Sequence, residues 1–482
     1  MSDKITYSFC DSLVKRQAEA EKQMLAEWKS GDYTFEKPLI KLNPYLINPL
    51  AAVVLFTTEK ETAVTLTVYG KEERGNIVHT FPRAKEHVIP VLGLYGGCGN
   101  RVELRTYEGN TQELTITTEP LSDDVPKLCY MKTEPEYTSR DLIFVTPSLN
   151  ALATGFDYRG DVRWHLTVPV VFDLKRLKNG NFLIGTERVL QMPYYMSGLY
   201  EMTMAGKIVK EYSIPGGYHH DQWEMDNGDI LVLAEDPDFV TVEDVVVLLD
   251  RETGKIKKRW DLKDCPGDGP SGGYTDRDWF HNNALWYDKN NNSITLSGRH
   301  TDSLINIDFE TGKLNWIIGD PETWPEEKLK YFFKPVGDGD FDWPYEQHAC
   351  LVTPNGDVMC FDNGHYRSKI REKFLRNRDS FSRGVLYRIN REDMTIEQLW
   401  QYGKERGEEF FSSYIGNVEW YGENHYLVHS GGIQYYGEHA SDKPAALMKD
   451  DPNVRAESIT VEWLDGKVIM EMKIEGNFYR AE

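Results

Sequence analysis

The sequence predicts an all-β protein, a six-bladed β-propeller preceded by a small β-sandwich domain and an N-terminal helix. Three observations support this prediction: a hairpin motif that recurs six times, a second turn motif between its copies, and an alternating apolar and polar segment before them. The boundaries that we expect are 1–34 for the helix, 35–125 for the sandwich and 126–482 for the propeller.

The N-terminal segment has the pattern of an amphipathic helix. From Phe9 to Trp28, apolar residues recur near helical spacing with charged residues between them, although Gln17 interrupts the apolar stripe. Gly31 predicts the end of the helix. We expect this helix to serve packing or dimer formation.

The next segment, from about Pro38 to Pro120, consists of short stretches in which apolar and polar residues alternate. Examples are AVTLTVYGK and NRVELRTYEG, and turns rich in Gly, Asn or Glu separate them. This pattern is typical of a small β-sandwich. The segment carries no cluster of residues suited to catalysis.

The remainder of the chain is built on a repeat. One unit is an apolar strand, a turn often written DxxTGK, and a strand that ends near an aromatic residue. The first three copies end 48 residues apart, at Trp164, Tyr212 and Trp260. Later copies end at Trp316 and Trp400, and ITVEWLDGKVIMEM is the sixth. This period lies in the range of propeller repeats.

A second motif lies between these hairpins. Turns containing asparagine, mostly Asn-Gly, follow a short strand near Asn179, Asn227, Asn291, Asn355 and Asn424. Two hairpins per unit make a four-stranded blade, and six blades make a closed ring with a central channel and no free sheet edge.

Composition excludes several classes of function. The chain has 482 residues and a formal net charge of -22, which should repel nucleic acid and anionic membranes. No apolar run approaches the ~18 residues that a membrane span needs. An anionic substrate would therefore need a local cationic pocket built from a few placed residues.

The compartment is inferred from the N-terminus and the cysteines. The first residues lack the layout of a secretion signal, so we expect a cytoplasmic protein, or a periplasmic one if a signal has been removed. The cysteines form no CxxC pair, which argues against zinc and redox centres, although Cys350 and Cys360 are spaced to face each other across a hairpin.

Three histidines occupy matching points of the repeat. His220 and His348 each lie seven residues before the asparagine of the next turn, and His281 lies ten before a longer turn. Each is thus expected at the start of the innermost strand of a blade, facing the channel. A single histidine is usually structural, but three at equivalent points indicate a site. His429 lies late in its strand and ranks lower.

Arg299 ends the strand that follows His281 and adds a positive charge to this group. A guanidinium fork matches the oxygens of a tetrahedral oxyanion, whereas the alternative role is a surface salt bridge. Three histidines could also bind zinc, but no Asp or Glu shares their level, so no metal is predicted. No phosphate-binding glycine loop is present, so no nucleotide cofactor is predicted either.

The motifs DWFHNNALWYD, SGRHTDSLINID, YEQHACLV and WQYGKERGEEFFS resemble those of the bacterial arylsulfate sulfotransferases, and the resemblance covers nearly the whole chain. It implies a propeller preceded by a β-sandwich, often as a homodimer. It also implies transfer of a sulfuryl group from an aryl sulfate donor to a phenolic acceptor without a nucleotide cofactor.

The resemblance assigns roles to individual residues. It implies that His348 becomes sulfated, and it implies anion binding at His281, Asn283 and Arg299. It also implies a role for a histidine of the HHD string, where the repeat spacing selects His220, and for an aromatic residue at Tyr479. The chain departs from the family in showing no secretion signal, no nearby cysteine pair and no threonine in FFSSYIGN.

The expected mechanism is ping-pong. Neutral His348 attacks sulfur and forms a sulfohistidine, a cationic His220 or His281 protonates the departing phenolate, and the same group later deprotonates the acceptor. Three alternatives stay open: an aryl sulfatase-like hydrolase on the same site, a metal-dependent hydrolase, and a propeller that only binds another protein.

Overall fold

The computed structural model describes residues 12–137, 141–148, 151–264, 276–443 and 451–482. Phe9, Cys10 and Cys265 lie outside the described residues. Within them the protein is all-β apart from one α-helix and several short 3₁₀ segments. The 3₁₀ segments are Glu73–Gly75, Asp276–Asp278, Pro321–Thr323, Glu326–Tyr331, Arg371–Lys373, Asn377–Asp379 and Lys404–Phe410.

The predicted helix is present as α1 (Leu13–Ser30) and ends at Gly31. Gln17, which interrupts the apolar stripe in the sequence, is buried in the contact that docks α1. Its Nε2 donates to the carbonyl oxygens of Tyr45 and Gly206, and its Oε1 accepts from the N–H of Ile208. A polar residue therefore fits the buried face because each of its hydrogen-bonding groups has a backbone partner.

The first sheet contains five antiparallel strands, with β3 paired to β2 beside the path β1-β2-β4-β5. The strands are β1 (Leu39–Leu42), β2 (Ala52–Val68), β3 (Ile77–Val91), β4 (Gly99–Thr106) and β5 (Thr111–Thr117). The pairing of β2 with β3 shifts register after Thr57, and apolar side chains from both halves of β2 lie in one core.

The other strands form sheets with four-stranded antiparallel units. In chain order they begin with β6 (Leu128–Thr133), β7 (Ile143–Pro147), β8 (Thr154–Phe156), β9 (Val162–His165), β10 (Leu174–Arg176), β11 (Phe182–Gly185), β12 (Val189–Gln191), β13 (Tyr195–Met202), β14 (Ile208–Glu224), β15 (Ile230–Ala234), β16 (Val245–Leu249) and β17 (Ile256–Asp261). They continue with β18 (Asn282–Asp288), β19 (Ser293–Gly298), β20 (Ser303–Asp308), β21 (Leu314–Ile318), β22 (Lys334–Pro335), β23 (His348–Val352), β24 (Val358–Asp362), β25 (Arg383–Asn390) and β26 (Thr395–Tyr402). The last are β27 (Asn417–Gly422), β28 (His425–Tyr436), β29 (His439–Ala440), β30 (Val454–Leu464), β31 (Lys467–Glu475) and β32 (Phe478–Ala481).

Strand pairing groups them into six units within the described chain. Their orders are β32-β7-β8-β9, β10-β11-β13-β14, β14-β15-β16-β17, β18-β19-β20-β21, β23-β24-β25-β26 and β27-β28-β30-β31. The long β14 serves two units, because its first half pairs with β13 and its second half with β15. The strands β6, β12, β22 and β29 add to the edges, and β22 pairs parallel with β26.

The two predicted hairpins per unit are confirmed. Each copy of the first motif forms the outer pair of strands, as in β16–β17 and β20–β21. The asparagine turns join the inner pairs, as in β18–β19 and β23–β24. In the remaining unit the C-terminal β32 pairs with β7, which explains why that unit has no such turn.

The innermost strands of neighbouring units contact one another in series: the second half of β14 lies against β18, β18 against β23, β23 against β27, and β27 against β32. Lys175 of β10 forms an ion pair with Glu482 just beyond β32, with 2.9 Å between Nζ and Oε1. The inner strands therefore bring their first residues towards a common interior.

Two further findings concern a pair of cysteines and the length of the helices. Cys350 and Cys360 lie in the paired strands β23 and β24, but both are buried free thiols and form no disulfide. No helix among the described residues has the length and apolar character to cross a membrane.

Arg163 of β9 connects the first sheet to the β32-β7-β8-β9 unit. Its buried guanidinium donates to the carbonyl oxygen of Gly93 at 2.6 Å and to the hydroxyl of Tyr95 at 2.9 Å, and it lies 3.4 Å from the carboxylate of Asp157. Because these partners are shielded from water, removal of the arginine would leave them without a hydrogen-bond or ion-pair partner to replace it.

We predict that Arg163→Ala lowers the free energy of unfolding by about 3–5 kcal/mol, because it leaves the buried Asp157 carboxylate without its cation. Chemical denaturation measures this change. Arg101→Ala is the control, since Arg101 pairs with Glu113 on the surface, and it should leave the denaturation midpoint unchanged. Equal midpoints for the two variants would contradict the prediction.

Candidate functional site

The three predicted histidines come together in the interior. The rings of His220 and His281 lie 5.2 Å apart between centroids. The ring of Tyr479 lies 5.7 Å from that of His220 and 6.3 Å from that of His348. All four side chains are buried. Three inner strands and the C-terminal strand thus meet at one point.

The backbone at this point is irregular in each strand. The pairing register shifts around His220 in β14, around Asn283 in β18 and just after His348 in β23. His220 and His281 both have a φ of 54°, in the left-handed region. In β23 the left-handed residue is Ala349, with a φ of 55°, one position after His348. The inner strands pair at the same spacing from their turns, but the left-handed residue lies one position later in β23, which turn spacing does not encode.

His348 is held as a neutral imidazole. Its Nδ1 lies 2.8 Å from Oδ1 of Asn363 and 3.2 Å from the carbonyl oxygen of Glu346, so Nδ1 carries the proton. Its Nε2 accepts from the backbone N–H of Ile415 at 3.3 Å. Burial, and then the positive charge of Arg299, hold the pKa of His348 well below its ordinary value. The lone pair of the ring is therefore at Nε2, where it accepts the hydrogen bond from Ile415.

His281 has the opposite environment. Its Nδ1 lies 2.9 Å from Oδ2 of Asp278 and 2.9 Å from Oε2 of Glu243. Burial alone would lower the pKa of His281, but these two carboxylates raise it to about 10. In return, the imidazolium helps to lower the pKa of Asp278 to about 2, although burial opposes this shift. His281 is therefore a buried cation at neutral pH.

His220 is neutral and is oriented by its neighbour. Its Nδ1 lies 2.8 Å from Nδ1 of His219, whose Nε2 lies 3.2 Å from the carbonyl oxygen of Ala234. Because that carbonyl can only accept, Nδ1 of His219 is the acceptor and His220 donates to it. Burial first, and then the neighbouring His219 and His281, place the pKa of His220 well below its ordinary value.

Arg299 has a buried partner, which the sequence did not reveal. Its Nε and Nη2 donate to Oε2 of Glu346 at 3.0 and 2.8 Å. Nδ1 of His365 lies 2.9 Å from the other oxygen of the same carboxylate. The salt bridge considered as an alternative is present, but it lies in the interior beside His348 and not on the surface. It fixes the direction of the guanidinium.

Asn283 and Tyr479 are joined through the backbone. The amide nitrogen of Asn283 donates to the carbonyl oxygen of Gln347 at 2.8 Å. The hydroxyl of Tyr479 donates to the carbonyl oxygen of Asn283 at 3.1 Å, and Arg480 donates to the same oxygen. These bonds fix the position of Asn283 between the strands that carry His281 and His348.

Two groups of side chains have the composition of metal ligands. One is His219, His220 and Glu243, and the other is Asp278, His281 and His300, with the ligand atoms of each group within 4.8 Å of one another. The sequence argument against a metal, that no carboxylate shares the level of the histidines, is therefore wrong. The carboxylates come from the loops that precede β16 and β18, which the strand spacing does not reach.

His429 has a structural environment. Its Nδ1 lies 2.9 Å from the hydroxyl of Thr460, and its Nε2 lies 3.0 Å from the carbonyl oxygen of Phe478. Both ring nitrogens are thus occupied by neighbouring strands, which agrees with the lower rank that the sequence gave this histidine.

Comparison with known families then identifies the chain. Residues 128–480 match the family model described as arylsulfotransferase (ASST), and residues 39–120 match the arylsulfotransferase Ig-like domain. The chain belongs to the arylsulfotransferase family. It is an enzyme of that family, as its motifs predicted, and the predicted β-sandwich domain is its Ig-like domain.

Two curated relatives bear the name arylsulfate sulfotransferase AssT. The protein of Lelliottia amnigena is 24% identical, and the match covers 79% of this chain and 82% of the relative. The protein of Escherichia coli O6:H1 (strain CFT073) is 22% identical, with 82% and 85% covered. Among solved structures, regucalcin from Agrobacterium tumefaciens is 11% identical with a TM-score of 0.34, covering 74% of this chain and 95% of that one. No conclusion is drawn from a likeness at that level.

We predict that Asp278→Asn lowers the pKa of His281 by roughly one unit or more, because it removes one of the two charges that raise it. Titration of histidines labelled with nitrogen-15, followed by NMR and assigned with His281→Gln, measures this change. Asp276→Asn removes an exposed carboxylate of the same 3₁₀ segment and should leave the titration unchanged. An unaltered His281 titration in Asp278→Asn would contradict the assignment of the cation.

Proposed function

We propose that the enzyme transfers a sulfuryl group from an aryl sulfate ester to a phenol, by a ping-pong mechanism through a sulfohistidine at His348 and without a nucleotide cofactor. The observation that carries the proposal is the buried neutral imidazole of His348, with its lone pair at Nε2, beside the cations Arg299 and His281. A nucleophile needs the lone pair, and a sulfate ester needs the positive charges.

The six four-stranded units are proposed to be the blades of a closed six-bladed β-propeller. The contacts between successive inner strands support this arrangement, as does the pairing of the C-terminal β32 with β7. In such a ring the first residues of the inner strands converge on the channel. This accounts for residues from distant parts of the chain forming one site.

In the first step, the substrate displaces the N–H of Ile415 from Nε2 of His348. Nε2 then attacks sulfur, the N–S bond forms, and the bond between sulfur and the phenolic oxygen breaks. The charge on the three remaining sulfuryl oxygens is balanced by Arg299 and His281. One amide hydrogen of Asn283 is donated to the carbonyl oxygen of Gln347. The second amide hydrogen of Asn283 would be donated to a sulfuryl oxygen. Fixed donors of this kind need no rearrangement as the group passes through the transition state.

His281 is the better of the two predicted proton donors. The departing phenolate needs a proton, and its conjugate acid has a pKa near ~10, as for tyrosine. The carboxylates beside His281 raise its pKa to about 10. Because the two pKa values are similar, proton transfer from His281 to the phenolate has a free-energy change close to zero. His220 carries no proton to give at Nε2 near neutral pH, since its pKa is lowered and its Nδ1 proton is bonded to His219.

In the second step an acceptor phenol replaces the product. The neutral His281 left by the first step takes the phenolic proton, the phenolic oxygen attacks sulfur, and the N–S bond of the sulfohistidine breaks. This restores the starting state of both histidines. The aromatic rings of Tyr479 and Phe172, 5.4 Å apart and close to His220, would contact the aryl groups.

Two alternatives have distinct outcomes. A metal-dependent hydrolase is favoured by the carboxylates near the histidines, and it would lose activity with a chelator and regain it with metal. A sulfatase would release sulfate to water whether or not phenol is present. The proposed enzyme keeps its activity in chelator and forms product ester in proportion to the acceptor.

The homodimer and the cytoplasmic location remain proposals. The dimer is implied by the resemblance to the family, and the location by the scattered cysteines, which fit a reducing compartment. Sedimentation of the purified protein tests the first, and fractionation of the source cells tests the second.

Mixing the enzyme with an aryl sulfate and no acceptor should add one sulfuryl group to the peptide that contains His348, and mass spectrometry after a quench that avoids acid detects it. His348→Ala should form no adduct and lose transfer by ~10³-fold or more, because the nucleophile is gone. His425→Ala, which alters a half-buried histidine paired with Glu462, should form the adduct normally. Full turnover in His348→Ala would exclude the covalent route.

A further inference from the structure

We propose that Asn363 is a positioning residue that sets the tautomer of His348 and holds its ring, and this inference rests on the proposed role of His348 as nucleophile. Asn363 directly follows β24, the strand paired with β23. It is fully buried. The repeat gave it no role, because it lies at the far end of the hairpin that begins with His348.

The orientation of the Asn363 amide is fixed by two acceptors. Its Nδ2 donates to the carbonyl oxygen of Ser412 at 2.9 Å and to that of Ile415 at 3.0 Å. A flipped amide would place Oδ1 against both carbonyl oxygens, where no hydrogen bond can form. Oδ1 must therefore face His348, where it lies 2.8 Å from Nδ1.

This orientation determines which nitrogen of His348 is the nucleophile. Oδ1 can only accept, so it keeps the proton on Nδ1 and leaves the lone pair on Nε2. The carbonyl oxygen of Glu346 acts in the same direction. With the proton on Nε2 instead, the ring would present no lone pair to sulfur, and both acceptors would lose their donor inside the protein.

The chemistry of the acceptor explains why an amide suits this position. A carboxylate beside His348 would stabilise the imidazolium, as Asp278 and Glu243 do for His281. An amide oxygen orients the ring without adding charge, so His348 stays neutral and nucleophilic. The two histidines of one site thus reach opposite charge states, because burial and the charge of Arg299 hold the pKa of His348 low whereas carboxylates raise the pKa of His281.

Asn363 also anchors the turn that holds the other side of the ring. The backbone N–H of Ile415 donates to Nε2, and Ile415 has a φ of 52°, a left-handed conformation that a β-branched residue rarely adopts. The carbonyl oxygens of Ser412 and Ile415, at the two ends of this turn, are the acceptors of the Asn363 amide. One side chain therefore fixes both contacts that clamp His348.

The test compares Asn363→Leu with Asn363→Asp. The leucine removes the acceptor at nearly constant volume, and it should slow formation of the sulfohistidine by about 10–100-fold with little change in KM, as for partners of a reacting histidine elsewhere. The aspartate restores an acceptor for Nδ1 and should recover part of the rate. It should also introduce a loss of rate at acid pH, because its charge raises the pKa of His348 and the imidazolium cannot attack.

Rapid-quench mass spectrometry of the His348 peptide, over a range of pH, measures the rate in each variant. Asn306→Leu is the matched control, since Asn306 is also a buried asparagine and its amide donates to the hydroxyls of Ser293 and Thr295 on β19. It should form the adduct at the rate of the wild type. A purely structural asparagine would lower the stability of the variants without changing the pH dependence.

The inference fails if Asn363→Leu forms the adduct at the rate of the wild type. It also fails if Asn363→Asp keeps the pH profile of the wild type, and this second readout decides the question should the leucine variant not fold. If the wild type turns over without any adduct, the proposed covalent function fails instead. The two failures are therefore distinguishable.

Discussion

Burial removes charge from an imidazole unless a carboxylate lies against it, and the site depends on where the buried carboxylates lie. Glu243 and Asp278 contact His281 and keep it cationic. His348 meets an amide and carbonyl oxygens, and it stays neutral. In the low-dielectric interior each of these contacts shifts the charge state strongly. A neutral imidazole and a cationic one can thus coexist within one buried cluster.

The net charge of the chain led us to expect a pocket of cations, but the cations of the site are paired with buried carboxylates. Arg299 and His281 are both paired with buried carboxylates, so the positive charges are held by acids and not left open. Pairing offsets the cost of burying each cation before a substrate arrives. It also fixes the direction of each donor, which matters more for transfer of a charged group than net charge does.

Much of this arrangement could be predicted from the sequence, because the hairpins repeat. The repeat located His220, His281 and His348 near the starts of inner strands, and the turn spacing identified both hairpins of most units. Arg299 was located by its place at the end of the strand that follows His281. The left-handed conformation at Ala349, one position after His348, could not be predicted, since the conformation of a bulge does not change the distance to the turn. The pairing of β32 with β7 joins residues far apart in the sequence and leaves no local signal.

The sequence did not reveal the partners of His281, Arg299 and His348, and the reason is the same for each. Glu243, Glu346 and Asn363 lie in the segments just before or after strands, where the chain follows no periodic pattern. His219 was visible beside His220 in the HHD string, but only its bonds to His220 and Ala234 reveal that it orients its neighbour. Spacing predicts which strand a residue occupies, whereas hydrogen bonding between loops decides what the residue can do.

The measurement that tests the central claim most directly is a high-resolution crystal structure of the enzyme trapped with an aryl sulfate in the absence of acceptor. The account predicts sulfur bonded to Nε2 of His348, with Nδ1 of His348 still hydrogen-bonded to Asn363. It also predicts that the sulfuryl oxygens face Arg299 and His281. Sulfur on Nδ1 of His348, or on another side chain, would contradict it.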